Sequence, residues 1–326
     1  MKPIRPILVA RDFSPCSERA LEVALTLADR ADATLHVVHA DVLHADPYGQ
    51  PEEPAGSVDK LRERLKEDVE RDRDESARFD PGSVKIEHAV VRDVAAAPAL
   101  IRYAEEHDID FIVMGTHGRT GLRRMLIGSV AEEVVRWVPC PVLTMRADSD
   151  VGDEVHAILV PVDFSESSKA AVRQAVRLGR LYGARIDLLH VGETVPVPSF
   201  YDTGFLVYEY GPKFTDHTIE QLHGLADDAM AAEPGERLEV RAHVGVGQVP
   251  GVIVKEAERL GSDVVVMGTR GLSGLKHLLL GSVAERVLRT APCPVVVAKS
   301  EADIEHNEAL AAEREPRPAP ATDAGA

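Results

Sequence analysis

The sequence predicts an α/β fold of two tandem doubly wound, Rossmann-like domains, each a five-stranded parallel sheet with helices on both faces. Three observations carry this. Short apolar runs of strand length alternate with helical periods along the chain. The stretch 7–40, ILVARDFSPCSERALEVALTLADRADATLHVVHA, returns at 158–191 as ILVPVDFSESSKAAVRQAVRLGRLYGARIDLLHV. The phrase GTHGRTGLRRMLIGS at 115–129 returns at 268–282 as GTRGLSGLKHLLLGS. A repeat of about 150 residues is too long for a solenoid unit and long enough to bury its own core, so it reads as a duplicated domain.

In the first half, Ile7–Ala10 is a short apolar strand, and 17–30 is an amphipathic helix. Residues 34–39 are β-branched and apolar, a second strand. Residues 58–79 form a charged helix with i,i+4 pairing. A strand over 84–91, a helix over 99–107 and a strand over 111–114 follow, the last stopping at Gly115. A helix over 129–138 and the strand Val142–Met145 complete the half. Right-handed crossovers leave two sheet orders, 2-1-3-4-5 and 3-2-1-4-5. The stretch 146–156, RADSDVGDEVH, is acidic and without apolar periodicity. It separates domain 1 (1–148) from domain 2 (154–300). Residues 301–326 are rich in Ala, Pro and charge and have little to bury, so a disordered tail is expected there.

Asp plus Glu outnumber Lys plus Arg by 54 to 37, a formal charge of -17. Such a surface repels nucleic acid and anionic membrane, so neither is expected as a partner. A phosphate ligand must then be held by local geometry. The start MKPIRPILVA holds only a strand-length apolar run, no stretch approaches a membrane span, and the cysteines Cys16, Cys140 and Cys293 form no CxxC. The expected location is the cytoplasm. Cys140 and Cys293, in PCPVLTM and PCPVVVA, read as small buried apolar residues, with no metal site expected.

Ligands of doubly wound sheets bind beyond the carboxyl ends of the strands, where the winding reverses. The strand ends concerned are Ala10-Arg11-Asp12 and Pro161-Val162-Asp163, with Gly115 and Gly268. From each of these glycines the spacing is G-x2-G-x9-G-S: Gly115, Gly118, Gly128, Ser129, and Gly268, Gly271, Gly281, Ser282. Glycine permits positive φ and lets backbone N–H groups approach an anion. Ser129 and Ser282 open helices, whose N-termini suit a phosphate. Both serines also begin S-x-x-E, a capping box with Glu132 or Glu285, so a purely structural reading stands beside the phosphate cradle.

Both halves resemble the universal stress protein family, over 4–146 and 156–299. The carriers are the G-x2-G-x9-G-S phrase after a strand ending in MGT, the DFS at each domain start and the PCPV near each end. The resemblance implies the order 3-2-1-4-5 and ATP, alone or with Mg, at two sites. It assigns the adenine and ribose end to Ala10, Arg11 and Asp12, and to Pro161, Val162 and Asp163. It assigns the phosphate phrase to Met114, Gly115, Gly118, Arg119, Gly128, Ser129 and Val130, and to Met267, Gly268, Arg270, Gly271, Gly281, Ser282 and Val283. Asp12 and Asp163 could instead cap the following helix, although Ser14 and Ser165 are better placed for that. In half one, Arg92 and Asp93 stand where glycine is usual, and His117 replaces Arg270.

Other classes fit less well. GVGQVPG (245–251) is one residue too long for a dinucleotide fingerprint, and G-x4-G-K-[ST] is absent. Nothing is placed to orient water on a γ-phosphate, so a binding role is expected, with at most weak ATP hydrolysis. The reading is a stress-response nucleotide sensor acting through nucleotide-dependent contacts with a protein client. The alternative is a nucleotide-free scaffold with vestigial sites. Universal stress proteins commonly dimerise through their fifth strands. Here Val142–Met145 and Val295–Ala298 would pair within one chain, an intrachain pseudo-dimer open to homodimer formation. The aromatic stretch 200–214 reads as padding of a sheet edge, with a partner surface as the alternative.

Overall fold

A computed structural model describes residues 4–42, 58–75, 84–116, 127–146, 149, 154–192, 212–233, 235–271 and 280–314. Half one runs β1 (Ile7–Ala10), α1 (Pro15–Ala31), β2 (Leu35–Val42), α2 (Val58–Glu75), β3 (Ile86–Asp93), α3 (Ala96–Glu106), β4 (Phe111–Gly115), α4 (Ser129–Trp137) and β5 (Val142–Met145). Half two repeats it with β6 (Ala157–Pro161), α5 (Glu166–Tyr182), β7 (Arg185–Gly192), α6 (Pro212–Ala232), β8 (Val240–Val246), α7 (Val249–Leu260), β9 (Val264–Gly268), α8 (Ser282–Thr290) and β10 (Val295–Ala298). A last helix, α9, covers Glu301–Arg314.

The strands form one ten-stranded sheet, β3-β2-β1-β4-β5-β10-β9-β6-β7-β8. Each half therefore has the order 3-2-1-4-5. All pairs within a half are parallel, and the halves meet where β10 runs antiparallel to β5, with Val296 opposite Leu143. The central strands are apolar on both sides because helices cover both faces. One core unites α1, α2, α5 and α6 through Leu21, Leu65, Val172 and Leu222. The other unites α3, α4, α7 and α8 through Leu100, Val134, Ile253 and Val287. Both cores cross the seam between the halves.

Matched contacts reinforce the seam. After β10, Lys299 Nζ donates to the carbonyls of Val135 (2.6 Å) and Arg136 (3.1 Å) at the end of α4. After β5, Arg146 donates to the carbonyl of Ala291 (3.5 Å) beyond α8. A cation at a helix C-terminus meets carbonyls that lack helical partners. Lys299 is half-buried, and desolvation lowers its pKa to about 8.

Two expectations change, and a third falls largely outside the described residues. The tail expected to be disordered from residue 301 is helical to Arg314; residues 315–326 lie outside the described residues. The physical reason is a reciprocal cap, in which Asp303 N–H donates to Ser300 Oγ (3.1 Å) and Ser300 N–H donates to Asp303 Oδ2 (3.0 Å). Several boundaries shift: α1 starts at Pro15 because Ser14 caps it, and β3 spans 86–93, not 84–91. Of the aromatic stretch 200–214, only 212–214 is described, as the start of α6.

Candidate functional site

The order 3-2-1-4-5 makes β1 and β4 neighbours in half one, and β6 and β9 neighbours in half two. The strand ends that the sequence singled out therefore share a crevice in each half. In half two the crevice opens into a cavity of about 370 Å³. Its floor is Pro161, Val162, Asp163, Met267 and Gly268, and its walls include His190, Val191, Val249, Thr269, Arg270, Gly271, Ser282 and Val283. That volume lies within the range of small-molecule sites.

The first-strand exit has the same unusual backbone in both halves. Phe13 has φ +63° and Phe164 +65°, a left-handed conformation that a bulky side chain rarely adopts. Each follows an aspartate that fixes the turn. Asp12 Oδ1 accepts from the N–H and hydroxyl of Ser14 (3.0 and 2.6 Å). Asp163 Oδ1 accepts from the N–H and hydroxyl of Ser165 (3.0 and 2.5 Å). Ser14 and Ser165 in turn cap α1 and α5. The aspartates support the caps without being the caps, which leaves Oδ2 of Asp163 facing Gly271. A Cβ on Gly271 would lie 2.6 Å from that oxygen.

Neighbouring histidines brace this turn. His39 and His190 place Nδ1 2.7 and 2.8 Å from the carbonyls of Arg11 and Val162. A carbonyl only accepts, so each Nδ1 carries the proton. The sequence reading missed these residues, although the repeat shows them as the matched HVVH and DLLH.

Arg11 directs its side chain away from the crevice. Its guanidinium is buried on the α2 side, with Nε 2.7 Å and Nη2 2.5 Å from Asp68 Oδ2, and it also donates to the Ser14 carbonyl and Ser17 Oγ. Only the Arg11 backbone belongs to the strand exit. Arg92 and Asp93, the residues in place of glycine, pair with Asp41 and Arg102.

The glycines divide by role. Gly115 and Gly268 are required by packing and not by positive φ. A Cβ on Gly115 would lie 2.6 Å from Cys16 Sγ, and one on Gly268 2.7 Å from the Ser167 backbone. Gly128 and Gly281 are the N-caps of α4 and α8, with no side chain capping either helix. Their N–H groups donate to the carbonyls of Thr116 (2.6 Å) and Thr269 (2.8 Å), which turns each helix start toward its strand end. Ser129 and Ser282 thus stand inside the first turn, and the expected S-x-x-E capping box does not form. Glu132 and Glu285 pair instead with Arg136 and Arg289 one turn on. The consequence is a helix start without a side-chain acceptor of its own, beside the half-two cavity. Thr269, in the wall, also has a buried hydroxyl without a hydrogen-bond partner among the described residues.

Arg270 lines the cavity but is bound elsewhere. Its Nε and Nη2 donate to Asp303 Oδ1 of α9 (2.9 and 2.6 Å). Met114 and Val130 pack in the half-one core, matching Met267 and Val283. Gly118, Arg119 and His117 lie outside the described residues. Cys140 and Cys293 are buried thiols whose pKa burial raises to about 12, so they are held protonated. Among the described residues, no helix is long and apolar enough to cross a membrane.

Known proteins agree with this architecture. The profile of the universal stress protein family matches residues 3–146 and again 154–299. A universal stress protein of Methanocaldococcus jannaschii is 34% identical over 144 residues, 44% of this chain and 82% of that protein. One of Mycobacterium tuberculosis is 29% identical over 268 residues, 81% of this chain and 86% of that protein. The crystal structure of a universal stress protein from Archaeoglobus fulgidus shares the fold, with TM-score 0.58 and 23% identity over 90% of this chain and 96% of that one. Two family matches, one on each half of a continuous sheet, make the chain a tandem member of the universal stress protein family.

Proposed function

We propose that the chain binds ATP at the strand-end crevices and acts in the stress response as a nucleotide sensor, through contacts that depend on nucleotide. The observation that carries this reading is the half-two cavity. It combines an apolar floor, a fixed carboxylate at one end and a helix start without side-chain caps at the other. Asp163 and the backbone of Val162 would hold the adenosine end. Ser282 and Val283 would offer the N-terminus of α8 to the phosphates, with Gly271 and Gly281 keeping side chains out of the approach, and the unpaired N–H groups of the first turn and the helix dipole favour an anion there. Any Mg would be carried in on the phosphates.

In half one, Asp12, Gly128, Ser129 and Val130 occupy the matching positions. Among the described residues, no acid or base is aimed at where a terminal phosphate would lie, which supports binding over turnover. Cys16, Cys140 and Cys293 form no disulfide, which suits a reducing cytoplasm. The test is chemical. Protein purified without added nucleotide and then heat-denatured should release adenine nucleotide, mostly ATP, with one per half at saturation. Protein that carries none and does not bind ATP at millimolar concentration overturns the proposal.

A further inference from the structure

The helix α9 plays no part in the reading above, yet its first turn grips Arg270, a residue that lines the candidate site. Asp303 is buried, and its Oδ2 accepts from Ser300 N–H (3.0 Å), Ser300 Oγ (2.7 Å) and Ser167 Oγ (2.8 Å). Its Oδ1 takes both donors of one edge of Arg270. One turn further on, Asn307 Nδ2 donates to the carbonyl of Arg136 in half one (2.6 Å). The same helix therefore holds a cavity-lining cation of half two and the last turn of α4 in half one.

We propose that α9 is a latch competing with a polyphosphate for Arg270, so that ligand in the half-two cavity loosens α9 from the seam between the halves. The inference rests on the nucleotide reading above. Arg270 lines the cavity and Asp303 does not. A guanidinium paired edge-on with a carboxylate presents little net charge to a second anion, and the edge that grips Asp303 suits a phosphate equally well. The carboxylate is ionised at any working pH. Burial alone would raise its pKa, but hydrogen bonds from Ser300, Arg270 and Ser167 outweigh burial and hold it at about 2. Two anions thus contend for one cation. By linkage, α9 weakens the ligand by the factor with which the ligand weakens α9. The ligand must carry phosphate, because a neutral nucleoside offers Arg270 no anion to hold.

The experiment uses the full chain. ATP and adenosine are titrated calorimetrically into wild type and Asp303→Asn, and hydrogen exchange of 301–310 is followed with and without each ligand. Asp303→Asn should bind ATP about fivefold tighter, as expected for unmasking one partly screened charge, and adenosine equally. In wild type, ATP and not adenosine should speed exchange in 301–310. Asp303→Asn also removes part of the α9 cap, so Arg270→Gln is the second variant. Its α9 should exchange faster without ligand and respond no further to ATP. Unchanged or weaker ATP binding in Asp303→Asn, or an α9 indifferent to ATP in wild type, overturns the latch alone. No binding of either ligand by any of the three proteins overturns the nucleotide reading and the latch together.

Discussion

Phe13 and Phe164 hold nearly the same left-handed backbone in the two halves, while the residues two places before them do opposite things. Arg11 in half one buries a guanidinium against Asp68, whereas Val162 in half two is buried in the apolar core. One face of the strand exit carries the turn, the histidine brace and the glycine-capped helix in both halves. The other face carries an ion pair in one half and a methyl cluster in the other. At β2 and β7 the contrast recurs. His36, whose pKa burial lowers, meets the Tyr103 hydroxyl at 2.9 Å, while the matching Asp187 accepts from Arg185 and His243. Backbone geometry at the crevice is shared and side-chain partnerships away from it are free to differ. A shared function needs the first and only a filled core needs the second.

The largest expected effect breaks that contrast at Asp68. Asp68→Asn leaves the Arg11 guanidinium buried without its counter-charge and should cost about 3–5 kcal/mol. The double change Arg11→Val with Asp68→Leu makes half one resemble half two and should recover most of the loss. Denaturant titration of the three proteins checks this. A single variant within about 1 kcal/mol of wild type would mean that Arg71 or water, and not Arg11, is the partner that matters.

The second test separates the crevices. Gly281→Asp suits an N-cap, although its Cβ would meet the Thr269 carbonyl at 3.2 Å, so the chain should still fold while its carboxylate occupies the place proposed for phosphate. ATP affinity should fall by about 2 kcal/mol or more. Gly128→Asp should remove less bound ATP, because the described cavity with Asp163 at its end is in half two. Calorimetric titration in which Gly128→Asp abolishes tight binding and Gly281→Asp does not would reverse this ranking.

The third test compares the seam cations Lys299 and Arg146. Lys299 falls from 10.5 to about 8 on folding. Between those values the unfolded chain binds more protons than the folded one, so this group makes stability rise with pH across that window. The slope is at most about 1.4 kcal/mol per pH unit, and an arginine in the same role would not titrate. Cys140 and Cys293, raised to about 12, act in the opposite sense above pH 9. The difference between wild type and Lys299→Met therefore isolates the lysine. Parallel stability curves for the two proteins from pH 8 to 10.5 would show that Lys299 stays charged in the fold.

Much of this was legible in the sequence. The apolar runs at 7–10 and 158–161 and the doubled glycine phrase were enough to find two domains, their strands and the crevice. What escaped was whatever depends on residues far apart in the chain. Gly115 and Gly268 look like ligand contacts until Cys16 and Ser167 are seen pressed against them, 99 and 101 residues away. Ser129 and Ser282 look like caps until the preceding glycine takes that position by donating to Thr116 or Thr269. α9 was lost because its composition offers little to bury. Its order comes from polar contacts of Asp303 and Asn307 across the fold, which no local pattern reveals. The left-handed Phe13 and Phe164 have no sequence signature either, since the conformation is rare for phenylalanine.

The antiparallel junction of β5 with β10 has a further consequence. In a pair made of two separate chains, assembly depends on how much protein is present, and any copy can meet any other. Here the partner is tethered a few residues away, so its effective concentration is fixed by the connector and dilution does not part the two. At this junction each half meets the other half of the same chain. A change on one side of the junction then appears once per particle instead of twice. A single tethered particle can therefore hold one strand-end crevice linked to α9 through Arg270 and another with a different surrounding, a division of labour closed to a pair of identical chains.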